Sequence, residues 1–224
     1  MMKTTIFPGR YVQGENALKR LGDELARFGK KAFIIADPFA AENILNKFLD
    51  QIKEKIGVDM EVFNSECSDE EIDHLSEIVR KNKNDIICGI GGGKALDTAK
   101  AVAHASGNPV AVVPTIASTD APCSALSVIY TQEGEFKRYL VLPKNPDIVL
   151  VDTMVIANAP VRFLVSGIGD ALATYFEAES ARAKYAPNMT GDIGSMTAYA
   201  LAELCFDTLM EYGETAVISA SAGV

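Results

Sequence analysis

From residue 17 to about residue 115 the chain alternates short apolar runs with stretches in which apolar residues recur every three or four positions. The runs "KAFIIAD" (31–37), "VDMEVFN" (58–64), "DIICGI" (85–90) and "PVAVVPT" (109–115) read as strands. The stretches "ALKRLGDELARFG" (17–29), "DPFAAENILNKFLDQIKEKIG" (37–57), "SDEEIDHLSEIVRKNKN" (68–84) and "KALDTAKAVAHAS" (94–106) read as helices. Strands joined by helical crossovers lie parallel, and helices then cover both faces of the sheet. The helix boundaries carry chemical signals. Asp37 is placed to cap the second helix, with Pro38 at its first position. Ser68 opens the third helix ahead of three acids that suit the dipole, and Gly107-Asn108-Pro109 stops the fourth.

The pattern changes beyond residue 115. "ALSVIYT" and "FKRYLVL" predict an antiparallel hairpin turning at Glu133-Gly134, and "PDIVLVD" (146–152) predicts one more strand. After Asn158-Ala159-Pro160 no good strand remains. Helices are expected around "VSGIGDALATYFEAESARA" and "GSMTAYALAELCFDTLMEY". A domain boundary is therefore expected near 158–162. It separates an α/β domain (1–160) from the start of an all-helical domain (161–224).

The net charge of −9 over 224 residues, with no Lys/Arg block, argues against a nucleic-acid or anionic-membrane partner. The opening "MMKTTIFPGRYVQG" lacks the apolar segment of a signal peptide, and no run is long enough to span a bilayer. Four scattered cysteines without a C-x-x-C fit reduced thiols, and a cytoplasmic location is expected.

The segment "GIGGGKALDTAK" (89–100) places glycines between a strand and a helix. The first N–H groups of such a helix lack internal partners, and missing β-carbons let a diphosphate approach them. The spacing is not G-x-G-x-x-G, because the third position falls on Lys94. It is not a P-loop either, since no Ser or Thr follows the lysine. A tight turn with no ligand is the alternative on these residues alone.

Together, "GGGKALDTAK", "PTIASTDAPCSALSVIYTQEGEF", "NPDIVLVDT" and "GIGDALATYFEA" resemble the metal-dependent, iron-containing alcohol dehydrogenase family, in particular its polyol-oxidising members. The resemblance runs from "FPGRYVQG" to about "LMEYGE". It implies a dehydroquinate synthase-like architecture: a dinucleotide-binding α/β domain, an all-helical domain, and NAD in the cleft between them. The implied reaction is hydride transfer from glycerol to NAD, giving dihydroxyacetone, assisted by a divalent zinc or iron ion. A homo-oligomer is expected.

Site residues follow from the same resemblance. Asp37 is implied at the adenosine ribose, where a carboxylate favours NAD over NADP; a plain helix cap is its structural alternative. Gly91, Gly92, Gly93 and Lys94 are implied at the diphosphate. Asp97 is implied toward the nicotinamide end, against the alternative of a first-turn acid. Thr115, Ile116, Ala117, Ser118, Ser124, Leu126 and Tyr130 are implied as further cofactor contacts, although alternate hairpin residues such as Leu126 and Tyr130 are usually core. Asp120 is implied as the substrate residue, against an Asx-turn before Pro122. Asp170 is implied as the metal ligand, against a solvated helix acid. Gly167 and Gly169 weaken that helix, which makes sense where backbone must pass close by.

The chain departs from the family in one respect. A catalytic zinc takes three protein ligands, and in the family these are the aspartate and two histidines. Here the only histidines are His74 and His104, and neither stands in a matching segment. "TAVISASAGV" does not resemble the family's continuation, so a C-terminally shortened relative is expected, inactive or nearly so alone. Apolar residues such as Leu201, Leu204 and Leu209 would then need cover. The competing expectation is a non-catalytic remnant that binds a dinucleotide or only oligomerises. A phosphorylated substrate would want Lys or Arg beside "STDAP", and the nearest basic pair, Lys137 and Arg138, is on the hairpin.

Overall fold

The computed structural model describes residues 2–63 and 65–223; Met1, Asn64 and Val224 lie outside the described residues, and with Asn64 the predicted end of one strand. The chain divides into two compact units. One comprises residues 8–116 and 121–156, and the other the described residues 2–7, 117–120 and 157–223.

The first unit is built on a six-stranded parallel sheet. In chain order its elements begin β1 (Tyr11–Gly14), α1 (Leu21–Leu25), β2 (Lys31–Ala36), α2 (Pro38–Asn43), α3 (Leu49–Lys53) and β3 (Gly57–Val62). They continue α4 (Asp69–Asn82), β4 (Ile86–Gly91), α5 (Gly93–Ser106), β5 (Val110–Pro114), then a β6 (Leu126–Tyr130) and β7 (Phe136–Val141) hairpin, β8 (Ile148–Asp152) and α6 (Thr153–Ala157). The sheet order is β1-β8-β5-β4-β2-β3. Successive side chains of a strand point to opposite faces. Ala32, Ile34, Ala36, Cys88 and Ile90 accordingly join Leu18, Leu21, Leu25 and Ile52 in one buried cluster. Phe33, Ile35, Ile87 and Val112 join Leu75, Val79, Leu96 and Val102 in the other. Each fully buried Leu or Ile is worth about 1.5–3 kcal/mol of transfer free energy, so both clusters are needed to hold the layers.

Four of the predicted strands, the predicted last strand and the antiparallel hairpin are all present. Gly134 takes the left-handed turn conformation at φ +86°. One expected helix is corrected. Residues 37–57 do not form a continuous helix; α2 ends at Asn43, a 3-10 turn covers Leu45–Lys47, and α3 starts at Leu49. Asn43 and Asn46 donate their side-chain amides to the carbonyls of Phe39 and Glu42, four residues back. Such bonds compete with the helix's own ladder. The first helix is also shorter than expected, a 3-10 turn at Ala17–Arg20 followed by α1. The edge strand β1 carries no apolar run. Backbone pairing with β8 creates it, and Val12 supplies its contact with the core.

All four cysteines are free thiols. Burial pushes the Cys67 and Cys88 thiols up to about 12, so neither is a nucleophile at neutral pH.

The second unit contains α7 (Val161–Lys184) and α8 (Met196–Ala222). Ser195 caps α8 by accepting the Ala198 amide at 3.2 Å. Tyr175, Phe176, Tyr199 and Phe206 form an aromatic cluster between the two helices, with Tyr175 and Phe206 centroids 4.7 Å apart. The N-terminal segment is tied to the same unit through Thr4 to Asp192 at 2.6 Å and Thr5 to Ser195. Few side chains of α7 and α8 are buried, and Leu201, Leu204 and Met210 stand exposed.

Candidate functional site

The connections of β2 and β4 leave the sheet in opposite directions: β2 leads to the edge strand β3, and β4 leads to β5 on its other side. Ligands of open α/β sheets bind at such a switch point, beyond the carboxyl ends of the strands. Here that point is occupied by Asp37, which follows β2, and by Gly91–Gly93, which end β4 and open α5.

Backbone bonds fix the geometry. The Asp37 amide donates to Ile90 O at 3.1 Å, and the Thr115 amide donates to Gly91 O at 3.0 Å. The ends of β2, β4 and β5 are thereby laced together. Asp37 Oδ1 accepts the Ala40 amide at 2.7 Å, which makes it the cap of α2. Its Oδ2 accepts the Gly92 amide at 3.2 Å. No side chain caps α5 at Gly92, so its positive N-terminal end is left to other partners.

The glycines are required sterically. Gly91 has φ +151°, and a β-carbon there would lie 2.3 Å from Asp37 Oδ2. A β-carbon at Gly92 would stand 3.2 Å from Ile116 Cδ1. Gly89 serves packing, because a β-carbon would meet Ala99 Cβ at 2.6 Å. The glycine turn thus admits no side chain at Gly91 without displacing Asp37, and leaves little room at Gly92 beside Ile116.

The hairpin lies along α5. Lys94 pairs with Glu66 at 2.6 Å and sits 5.3 Å over the Tyr130 ring. One turn on, Asp97 is buried. Its Oδ2 accepts the Val128 amide at 2.9 Å, Oδ1 lies 2.9 Å from Lys100 Nζ, and its carbonyl accepts the Ser127 hydroxyl at 2.9 Å. Burial pushes the Asp97 carboxyl above the ordinary aspartate value, with the Lys100 charge and the Val128 amide pulling against it. Asp97 is therefore not a solvated first-turn acid. Ser127 and Ile129 of the hairpin are buried, whereas Leu126 and Tyr130 are half-buried, with Tyr130 packing against the same cluster as Ile129. Ser124 Oγ lies 3.2 Å from Lys100 Nζ. Thr115 is buried and Ile116 half-buried at the end of β5.

In the second unit, Ala117 and Ser118 are half-buried and Asp120 is exposed. A β-carbon at Gly167 would lie 2.1 Å from Ala117 O, so that glycine admits the crossing backbone; Gly169 has nothing within 4 Å and meets no such demand. Asp170 is exposed on α7, and its Oδ2 accepts the Asp120 amide at 3.0 Å. His74 and His104 are exposed on α4 and α5. Among the described residues no group of three His, Cys, Asp or Glu side chains could hold a metal ion.

Two residues that sequence reading does not single out matter here. Glu66 anchors Lys94. Lys100 is fully buried inside the α5–hairpin contact. The signal available for Lys100 was a lysine set among Ala99, Ala101, Val102 and Ala103, three residues after an acid.

Residues 8–153 match the family described as iron-containing alcohol dehydrogenase. The glycerol dehydrogenase of Thermotoga maritima is 63% identical over 213 residues, which is 95% of this chain and 58% of that protein. The glycerol dehydrogenase of Pseudomonas putida is 53% identical, over 97% of this chain and 60% of that protein. The crystal structure of glycerol dehydrogenase from Schizosaccharomyces pombe superposes with a TM-score of 0.94 at 38% identity, covering all of this chain and 57% of that one. The chain thus spans about three fifths of the length of the relatives it matches. With the family's profile covering the whole sheet and the glycine cradle, the chain belongs to the iron-containing alcohol dehydrogenase family.

Proposed function

We propose that the chain binds NAD at the β2–β4 switch point and belongs to an enzyme that oxidises glycerol to dihydroxyacetone. The observation that carries this reading is the glycine cradle: an α5 N-terminus without a side-chain cap, beside strand ends held together by Asp37, in a chain 63% identical to a glycerol dehydrogenase. The dinucleotide, when bound, supplies the hydride acceptor. Gly91, Gly92, Gly93 and Lys94 hold the diphosphate through amides, the helix dipole and one cation. Asp37 accepts from the adenosine ribose hydroxyls and repels a 2′-phosphate. Thr115, Ile116, Ala117, Ser118, Ser124, Leu126 and Tyr130 line the remaining length of the cofactor. Asp97 contributes from beneath the hairpin through its bond to Val128. Asp120 accepts from a polyol hydroxyl, and Asp170 is the residue for a divalent zinc or iron ion.

The metal does not fit the residues present. Among the described residues, the one exposed carboxylate of Asp170 falls short of the three ligands a catalytic site uses. Lone Asp170 favours a second reading for this polypeptide by itself: a dinucleotide-binding chain with little or no turnover. In the proposed organisation residues 1–160 are the NAD-binding domain, and 161–224 belong to a helical metal and substrate domain. No helix among the described residues is long and apolar enough to cross a membrane. We place the chain in the cytoplasm and expect it to self-associate through the exposed apolar side chains of α8.

Titration with NADH, alongside glycerol-dependent NADH formation with added zinc, tests the reading. Saturable binding without turnover is expected. Chelator-sensitive turnover would overturn the claim of inactivity, and absence of binding would overturn the dinucleotide site.

A further inference from the structure

Lys100 is 1% exposed, with its ammonium enclosed by four oxygens. Nζ donates to Ala121 O at 2.8 Å, to Ser124 Oγ at 3.2 Å and to Leu126 O, and it lies 2.9 Å from Asp97 Oδ1. A buried ammonium is costly unless its N–H groups are satisfied, and an apolar residue of similar volume often stabilises a fold as well or better. A packing role alone therefore does not call for a charge here.

The charge is explained by what it holds. Ala121 and Ser124 lie between β5 and β6 and Leu126 opens β6; the part-buried carbonyls of Ala121 and Leu126 need donors. Lys100 supplies those donors from the third turn of α5. The same helix meets the hairpin at Lys94 with Tyr130 and at Asp97 with Val128. One face of α5 thus sets segment 121–130 in register with the glycine turn at the start of that helix.

We infer that Lys100 is a positioning residue of the dinucleotide site, holding Ser124 and Leu126 at a fixed distance from the glycine cradle. The inference rests on the dinucleotide reading above. It concerns alignment rather than contact, since Lys100 is enclosed by protein oxygens.

The test compares the full 224-residue chain with Lys100→Met, Asp97→Asn and the double variant. The double variant removes both buried charges together, so neither is left unpaired. The chain has no tryptophan, so the emission of bound NADH is read directly. Melting temperature is recorded for each protein, and titrations are run well below it. The double variant is expected to melt closer to the parent than Lys100→Met does, yet to bind NADH at least tenfold more weakly. Asp97→Asn, which keeps the Lys100 contacts to 121–126, is expected to lose less NADH affinity than the double variant. NADH affinity of the double variant within twofold of the parent would overturn the inference. So would a loss for Asp97→Asn equal to that of the double variant. If the parent chain itself fails to bind NADH, the dinucleotide reading falls and takes this inference with it, an outcome distinct from the other two.

Discussion

Asp37 accepts the Gly92 amide at 3.2 Å through one carboxylate oxygen while the other caps α2 at the Ala40 amide. One side chain thus joins the start of α2 to the glycine turn of β4. Helix cap and ribose acceptor were alternatives on the sequence; the first is present, and it holds the carboxylate at the switch point where the second is proposed. Replacement Asp37→Ala is expected to lower stability by about 1 kcal/mol, the usual worth of a lost cap. Removing a carboxylate near a 2′-phosphate also relieves like-charge repulsion. The ratio of NADP to NAD affinity should then rise roughly tenfold or more. Thermal melts and paired cofactor titrations check both, and an unchanged ratio would remove Asp37 from the ribose.

Gly91→Ala and Gly89→Ala should separate two roles of the glycines. Gly91 has φ +151° and faces Asp37 Oδ2, so alanine there carries backbone strain of about 1–3 kcal/mol and displaces the carboxylate. NADH binding should fall below detection. Gly89 faces Ala99 on the core side, and alanine there overpacks by about 1–3 kcal/mol. Its NADH affinity, measured below the melting point, should suffer less than that of Gly91→Ala. Equal losses would argue that the cradle has no ligand.

Stability should fall on acidification, in part through Glu24. This side chain is buried and pairs with Arg10 at 2.9 Å, Arg20 at 3.2 Å and Arg27 at 2.8 Å. Burial alone would push its carboxyl up, but the Arg10 and Arg27 bonds and charges outweigh this and hold it below the ordinary glutamate value. A carboxylate lowered in the folded state contributes stability above its unfolded pKa, and loses it as pH falls through the folded one. Asp69, held down by Lys137 and Arg138, has the same sign. Melting temperature should therefore drop below about pH 4, and Glu24→Gln should flatten that drop. Parallel melts between pH 3 and pH 7 decide; identical slopes would clear Glu24 of the effect.

Self-association should depend on α8. Leu204 is 61% exposed and Met210 66%, more apolar surface than a lone helical pair leaves in water without cost. Sedimentation at micromolar concentration is expected to give a mass above the 24.0 kDa of one chain. Leu204→Glu should shift the distribution toward that mass. A parent chain that sediments as a monomer would leave the exposed face unexplained by self-association.

The parallel sheet, its helix caps at Asp37 and Ser68, and the glycine turn were legible in the sequence. Each is written in local residue chemistry: periodicity, a capping oxygen, a missing β-carbon. Strand β1 and the break at Asn43–Asn46 were not, because pairing with β8 creates the first and side-chain competition with the backbone makes the second. Apart from the Asp97–Lys100 pair, the partners of Asp97, Lys94 and Lys100 were also invisible, since bonds such as Lys100–Ala121, Lys94–Glu66 and Asp97–Val128 reach residues 21, 28 and 31 positions away that only folding brings close. Sequence alone located the glycine turn between β4 and α5 and limited the histidines to His74 and His104. Tertiary structure decided which charges are buried and what they hold, because desolvation and pairing depend on neighbours in space rather than in order.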